Sequence, residues 1–401
     1  MLIINKHRFI IFISFFFITM GEGNFFISIE KNNIFLYLGY AILLLNIYWN
    51  FIIKNRKIPR KSLFFRFILV IFLFNIGIYM QPLLDNMIKI RLIFSMIIIA
   101  SIAMLSEGYI KSFVDIKKAS YGILWGITIS TIISIFTGTT LVGTAYEGLL
   151  GGYGFNGGLD DRNFFAAATI AGFAGIYICN KFEEKTNLDK VMLIYAFILL
   201  ISSNSRGGYI LFLLFLLVIN YEKLYIIKKS QRKILVALVC VLAVLGGIYF
   251  YNTIALNSGT YMYRVNGLLN LIEYYSNEYF YILFGMSGIA FDDNGQSYME
   301  NVRSVLGWDG TTELAILNIF IKNGLFGLLG YIIIFIYFIK RFLEIKVLRY
   351  KIPILALVMV LLVSSLSETY MVNINLIFGV FCYIAIAGTC GMEYIHCRKK
   401  E

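Results

Sequence analysis

Long apolar runs, separated by short polar segments that are mostly basic, recur from one end of this chain to the other. A run of about 18 or more apolar residues reads as a membrane-crossing helix, because hydrocarbon leaves the backbone no hydrogen-bond partner except itself. The alternation that a membrane β-barrel requires is absent. The pattern therefore predicts an all-α, polytopic membrane protein of about twelve transmembrane helices. The predicted spans are 8–22, 34–53, 63–80, 91–107, 120–142, 164–180, 190–204, 207–222, 233–251, 313–339, 352–367 and 373–392, and residues 1–401 form a single transmembrane domain. The run after Arg8 has no small-residue cleavage site near Met20 and reads as a retained first span. Ser203-Asn204-Ser205-Arg206-Gly207-Gly208 joins the seventh and eighth spans, which read either as two short spans or as one broken helix.

Composition agrees with the pattern. Of 401 residues 59% are hydrophobic and 14% charged, against about 25% charged in soluble domains, and the mean hydropathy is +0.79. The net charge of +12 does not point to a nucleic acid, because most of the 35 basic residues gather in short clusters between spans, as at 54–61, 223–233 and 340–351. Positive charge resists translocation, so this bias is a topology signal. It puts both termini in the cytoplasm.

Two substantial segments then face outward: a glycine-rich loop at 143–163 and a long loop at 252–312. Within the second, Asn266 to Tyr281 has apolar residues at helical spacing, read as an amphipathic helix at the interface or as plain packing over the spans. A charge at the mouth of a membrane bundle is expensive and so is a functional candidate. Arg162, Arg206, Arg264 and Arg303 qualify. Guanidinium grips phosphate oxygens in pairs, so two or three such groups suit a pyrophosphate. The bland alternative is an arginine snorkelling to the interface. Glu313 opens the tenth span, either as a carboxylate favoured by the helix dipole or as a general base. Glu368 is a weaker candidate near the end of the eleventh span. Asn323 to Gly327 reads as a stretch for close helix packing. His7 and His396 stand at opposite termini, the Asp160-Asp161 and Asp292-Asp293 pairs lack supporting ligand spacing, and no cysteine pair occupies the outer loops. No metal, cofactor or disulfide is expected.

Three stretches, in this order, resemble the O-antigen polymerase/ligase family, which includes the Wzy-type polymerases. Gly157 to Ala166 is similar to the family's glycine-rich outer loop entering a span. Ser203 to Gly208 resembles its Ser-Arg-Gly/Ala turn. Arg264, followed by Gly285-Met286-Ser287-Gly288, resembles its arginine and later glycine turn, and Leu317 with Gly324 to Gly327 resembles its entry helix. The likeness covers roughly residues 150–335 in motifs and the whole chain in topology. It implies a GT-C-like glycosyltransferase of the bacterial cytoplasmic membrane that joins undecaprenyl-pyrophosphate-linked repeat units by inverting transfer at the periplasmic face. Arg206, Arg264 and Arg162 would bind the pyrophosphate and Glu313 would be the catalytic base, with Arg303, Asn163 and Ser205 as further candidates. Membrane lipid, a chain-length regulator and a flippase are the partners this role allows. Ligases of the family carry a His-Asn pair where Glu313-Leu314 stands here, which favours the polymerase. A ligase and a lipid-linked glycan flippase or other transporter are the alternatives.

Overall fold

The computed structural model of the protein describes residues 2–54, 60–81, 86–143, 153–224, 266–267, 269–273, 276, 279–285 and 314–399. It is an all-α membrane protein. Among the described residues, six segments are long and apolar enough to cross a membrane: Asn32–Ile52, Ser62–Met80, Asn86–Gly108, Phe113–Thr137, Arg162–Phe182 and Ala315–Glu344. The first helices are α1 (Leu2–Gly21), α2 (Asn24–Ser28), α3 (Asn32–Trp49), α4 (Arg60–Met80), α5 (Asn86–Leu105) and α6 (Phe113–Thr137). A two-residue hairpin, β1 (Val142–Gly143) with β2 (Gly154–Phe155), precedes α7 (Arg162–Phe182), α8 (Asn187–Ser202), α9 (Arg206–Ile219) and α10 (Tyr221–Leu224). Then follow α11 (Tyr279–Phe284), α12 (Ala315–Glu344), α13 (Leu348–Ser364) and α14 (Ile377–Lys399). Every expected span has a helix at its position except the ninth, 233–251, which lies outside the described residues.

Successive helices run in alternate directions, so their ends gather at two faces. His7 Nε2 lies 3.0 Å from the Tyr109 carbonyl, and Gly391 is packed on the backbone of Glu107. The starts of α1, α6 and α8, the ends of α5, α7 and α9, and the last turns of α14 therefore share one face, called here the termini face. The starts of α7, α9, α12 and α14 lie at the other, with the ends of α1, α4, α6, α8 and α13.

The fifth span starts earlier than the sequence pattern put it, at Phe113 instead of residue 120. Asp115 in the first turn fixes that start, its carboxylate accepting from the backbone N–H groups of Lys111 at 2.8 Å and Ser112 at 3.1 Å. Lys117 and Lys118, read as part of a connector, are therefore helical. Lys117 Nζ bonds to Asp189 Oδ2 at 3.1 Å with both side chains buried. That pair makes a lysine inside the bundle tolerable.

The seventh and eighth spans are two antiparallel helices, not one broken helix. Asp189, in the first turn of α8, meets Lys117 at the termini face. The last carbonyl of α9, on Ile219, accepts from Lys181 at the same face.

The tenth span is not continuous. Gly324 takes φ 58°, ψ −154° inside α12, a conformation essentially confined to glycine. A Cβ there would stand 2.5 Å from the Leu283 carbonyl. Asn323 Nδ2 donates to the Phe74 carbonyl at 2.7 Å. Gln81 Nε2 donates to the carbonyls of Phe284, at 2.8 Å, and Lys322, at 3.1 Å. These amides satisfy carbonyls near the break. The segment before the break starts where Ala315 N meets Ser365 O, at 3.2 Å, and finishes beside the last turn of α4. Both contacts belong to the same face, so residues 315–323 run along that face. Residues 325–344 then descend about 30 Å at 1.5 Å per residue, enough to cross the hydrocarbon alone. The glycines expected to serve close packing thus include one that breaks the helix.

Candidate functional site

Two helices begin side by side at the face opposite the termini. The glycine-rich segment returns through the hairpin and ends at Asp161, whose extended backbone (φ −134°, ψ 148°) and side chain cap α7 by accepting from Asn163 N at 2.6 Å. Arg162 is then the first helical residue. Ser205 caps α9 in the same manner, accepting from Gly208 N at 3.1 Å, and makes Arg206 the first residue of that helix. Gly208 lets α7 approach: a Cβ there would lie 2.7 Å from Ala166 Cβ. Gly207, by contrast, faces open space.

The caps are tied together. Ser205 Oγ donates to Asn163 Oδ1 at 2.8 Å. Asn163 Nδ2 donates to Glu368 Oε1 at 3.3 Å, and the Asn163 carbonyl accepts from the Tyr370 hydroxyl at 3.0 Å. Tyr370 also makes an edge contact with Phe164 at 6.1 Å between ring centres. Asn163 thus joins α7, the α8–α9 turn and the α13–α14 connection through three of its polar groups.

The electrostatics of this arrangement are unfavourable for the helices alone. A helix start carries partial positive charge, and a cation there opposes helix stability by about 0.3–1 kcal/mol. Arg162 and Arg206 both stand at first positions, so neither is placed to stabilise its own helix. Partial positive charge at a helix start and a guanidinium together suit an anion. Asp161 already supplies a negative charge at α7. The start of α9, capped by neutral Ser205 with Arg206 exposed, is the more positive of the two.

Glu22 completes this face and was not singled out from the sequence. It follows the last residue of α1 and is buried. Its carboxylate accepts from the backbone N–H of Ile377, the first residue of α14. Its carbonyl accepts from Asp160 N at 3.1 Å, and the Gly158 carbonyl accepts from Asn24 N at 2.7 Å. The signal was available: Glu22 is the sole charged residue between Arg8 and Glu30, and glycines flank it.

Of the residues singled out in the sequence, the structure brings Arg162, Asn163, Ser205 and Arg206 together, with Glu368 joined to them through Asn163. Arg264, Arg303 and Glu313 lie outside the described residues. The helix expected at Asn266 to Tyr281 is described in part, as helical residues 269–273 and α11; Leu269, Ile272 and Tyr279 are exposed and Leu271 is buried. Among the described residues no group of three or more His, Cys, Asp or Glu side chains is placed to hold a metal ion. Compared with protein-family models and with curated proteins, the chain matches none.

Proposed function

We propose that the protein is a polysaccharide polymerase of the bacterial cytoplasmic membrane, which joins undecaprenyl-pyrophosphate-linked repeat units into O-antigen, capsule or a related surface glycan. The observation that carries this reading is the pairing of two arginine-headed helix starts through the Ser205–Asn163 hydrogen bond. In this reading the chain has twelve spans in a GT-C-like arrangement. The termini face is cytoplasmic, and the arginine face opens to the periplasm, where lipid-linked units are delivered.

The chemistry follows from the charges. A hydroxyl of one repeat unit attacks the anomeric carbon of the glycan carried on the other lipid, with inversion. Undecaprenyl pyrophosphate leaves and gains negative charge as the bond breaks. Cations fixed before the reaction stabilise that developing charge without reorganising, and loss of one such group costs about 100-fold or more in rate. Arg206 and Arg162 are the described residues suited to this role, and Arg264 is the third in sequence. The donor is already activated by its pyrophosphate, so no nucleotide sugar and no cofactor enter the scheme. A carboxylate takes the hydroxyl proton, for which the sequence resemblance nominates Glu313.

The experiment is glycan laddering in a deletion strain complemented with Arg206→Ala, Arg162→Ala, Arg264→Ala or Glu313→Gln. Loss of the ladder in the arginine variants is the expected result; full ladders from all of them would sink the site. Transport of a lipid-linked glycan is the second reading, favoured by the break in α12, since interrupted helices line many transporter sites. Purified protein separates the two, because chain growth without a gradient requires an enzyme.

A further inference from the structure

Among the described residues, the acidic side chains at this face are those of Glu22, Glu30, Asp160, Asp161 and Glu368, and they differ in the contacts that hold them. Asp161 is consumed by capping α7. Glu22 is buried and accepts from the N–H of Ile377. Glu30, just after α2, and Asp160, beside Asp161, are both exposed. Glu368 is half-buried, belongs to the α13–α14 connection, and accepts from a side chain that touches both arginine-headed helix starts.

The orientation of that side chain is fixed. The Asn163 amide oxygen takes the Ser205 hydroxyl, so its nitrogen must face Glu368. An N–H aimed at a carboxylate stabilises the ionised form, which is the form that accepts a proton. Asn163 is itself the residue after Arg162, and Ser205 the residue before Arg206. One carboxylate is thereby held next to the groups assigned to the pyrophosphate, at a position set by side-chain contacts from two helices.

We propose that Glu368 is the catalytic residue that accepts the proton of the attacking hydroxyl, and that Asn163 is its positioning residue. This assignment rests on the polymerase reading above. As the acceptor oxygen forms its bond to the anomeric carbon, the anomeric bond to the pyrophosphate oxygen breaks and its electron pair leaves with undecaprenyl pyrophosphate. The hydroxyl proton passes to Glu368 and from there to water. Among the described residues, the charged and titratable groups of this cluster are Glu22, Asp161 and Glu368, which all lie near Tyr370, and Arg162 and Arg206, which head the two helices that Asn163 joins.

The test uses the purified full chain and lipid-linked repeat units extracted from cells of the source lacking this chain. Wild-type protein is expected to build long glycans from them. Glu368→Gln is expected to lower kcat at least about 100-fold, the range for loss of a general base, while binding the extracted units within about threefold of wild type. That binding measurement also shows the variant to be folded. Asn163→Ala removes a hydrogen bond to the ionised carboxylate, so the acid limb of its pH–rate profile should move to higher pH; a purely structural role leaves that limb in place. A Glu368→Gln enzyme that turns over at the wild-type rate overturns the assignment, above all if Glu313→Gln or Asp160→Asn is inactive. No chain growth by wild-type protein overturns the polymerase reading and this assignment with it.

Discussion

The two faces of the bundle are built by opposite rules. At the termini face charged side chains pair with one another: Lys117 with Asp189, Arg8 with Asp115 at 3.2 Å, and Arg341 with Glu107 and Glu344, the carboxylates of Asp189, Asp115 and Glu107 being buried. The ion pairs whose partners are both described all lie there. Tyr121 and Tyr337 add hydroxyl donors to Asp189 and Glu107. Phe113, Phe182 and Tyr350 stack in nearly parallel planes, with the Arg349 guanidinium 4.9 Å above Phe182. At the arginine face, cations head helices that would be more stable without them, a carboxylate is buried at Glu22, and two helices are linked through an amide and a hydroxyl. One face is organised to hold the bundle together. The other gives up some stability to keep charge and hydrogen-bonding groups in place.

That contrast can be broken most forcefully at the termini face. Asp189→Ala leaves Lys117 buried without its carboxylate, which should cost about 3–5 kcal/mol and register as a large drop in the thermal midpoint of purified protein. The opposite face should separate stability from activity. Arg206→Ala is expected to change unfolding free energy by no more than about 0.5 kcal/mol, as for an exposed side chain, yet to lower glycan synthesis by about 100-fold. If Arg206→Ala instead lowers the thermal midpoint as far as Asp189→Ala does, the distinction between the faces is wrong.

Smaller effects sharpen the picture. Gly324→Ala forces a Cβ into a conformation and a space that exclude it, and should destabilise by at least about 1–3 kcal/mol, measurable by denaturant unfolding. Ser205→Ala removes the α9 cap, worth about 1 kcal/mol, and frees the Asn163 amide. Its signature would be a modest fall in stability with a larger fall in rate.

Much of this was legible in the chain itself. Apolar runs of sufficient length must become helices in a membrane, because each backbone polar group has to be satisfied within its own segment. The described helices consequently follow the predicted spans closely. Charge clustering was equally readable, and the clusters at Lys117, Lys181 and Arg341 all fall at one face. Arg162 and Arg206 stood out because charges beside apolar runs are rare. Tertiary structure decided what depends on contacts far apart in sequence. The earlier start of α6 rests on the Asp115 carboxylate, which accepts from the chain entering the helix, and on Asp189, 72 residues from Lys117. The break at Gly324 is held by Asn323 and by Gln81, just past the end of α4, where hydropathy sees an uninterrupted run. Glu368 is 205 residues from Asn163, and Glu22 is 355 from Ile377. Hydrophobicity is a local quantity and can be summed along a chain, whereas a hydrogen bond between side chains exists only once packing has fixed both partners.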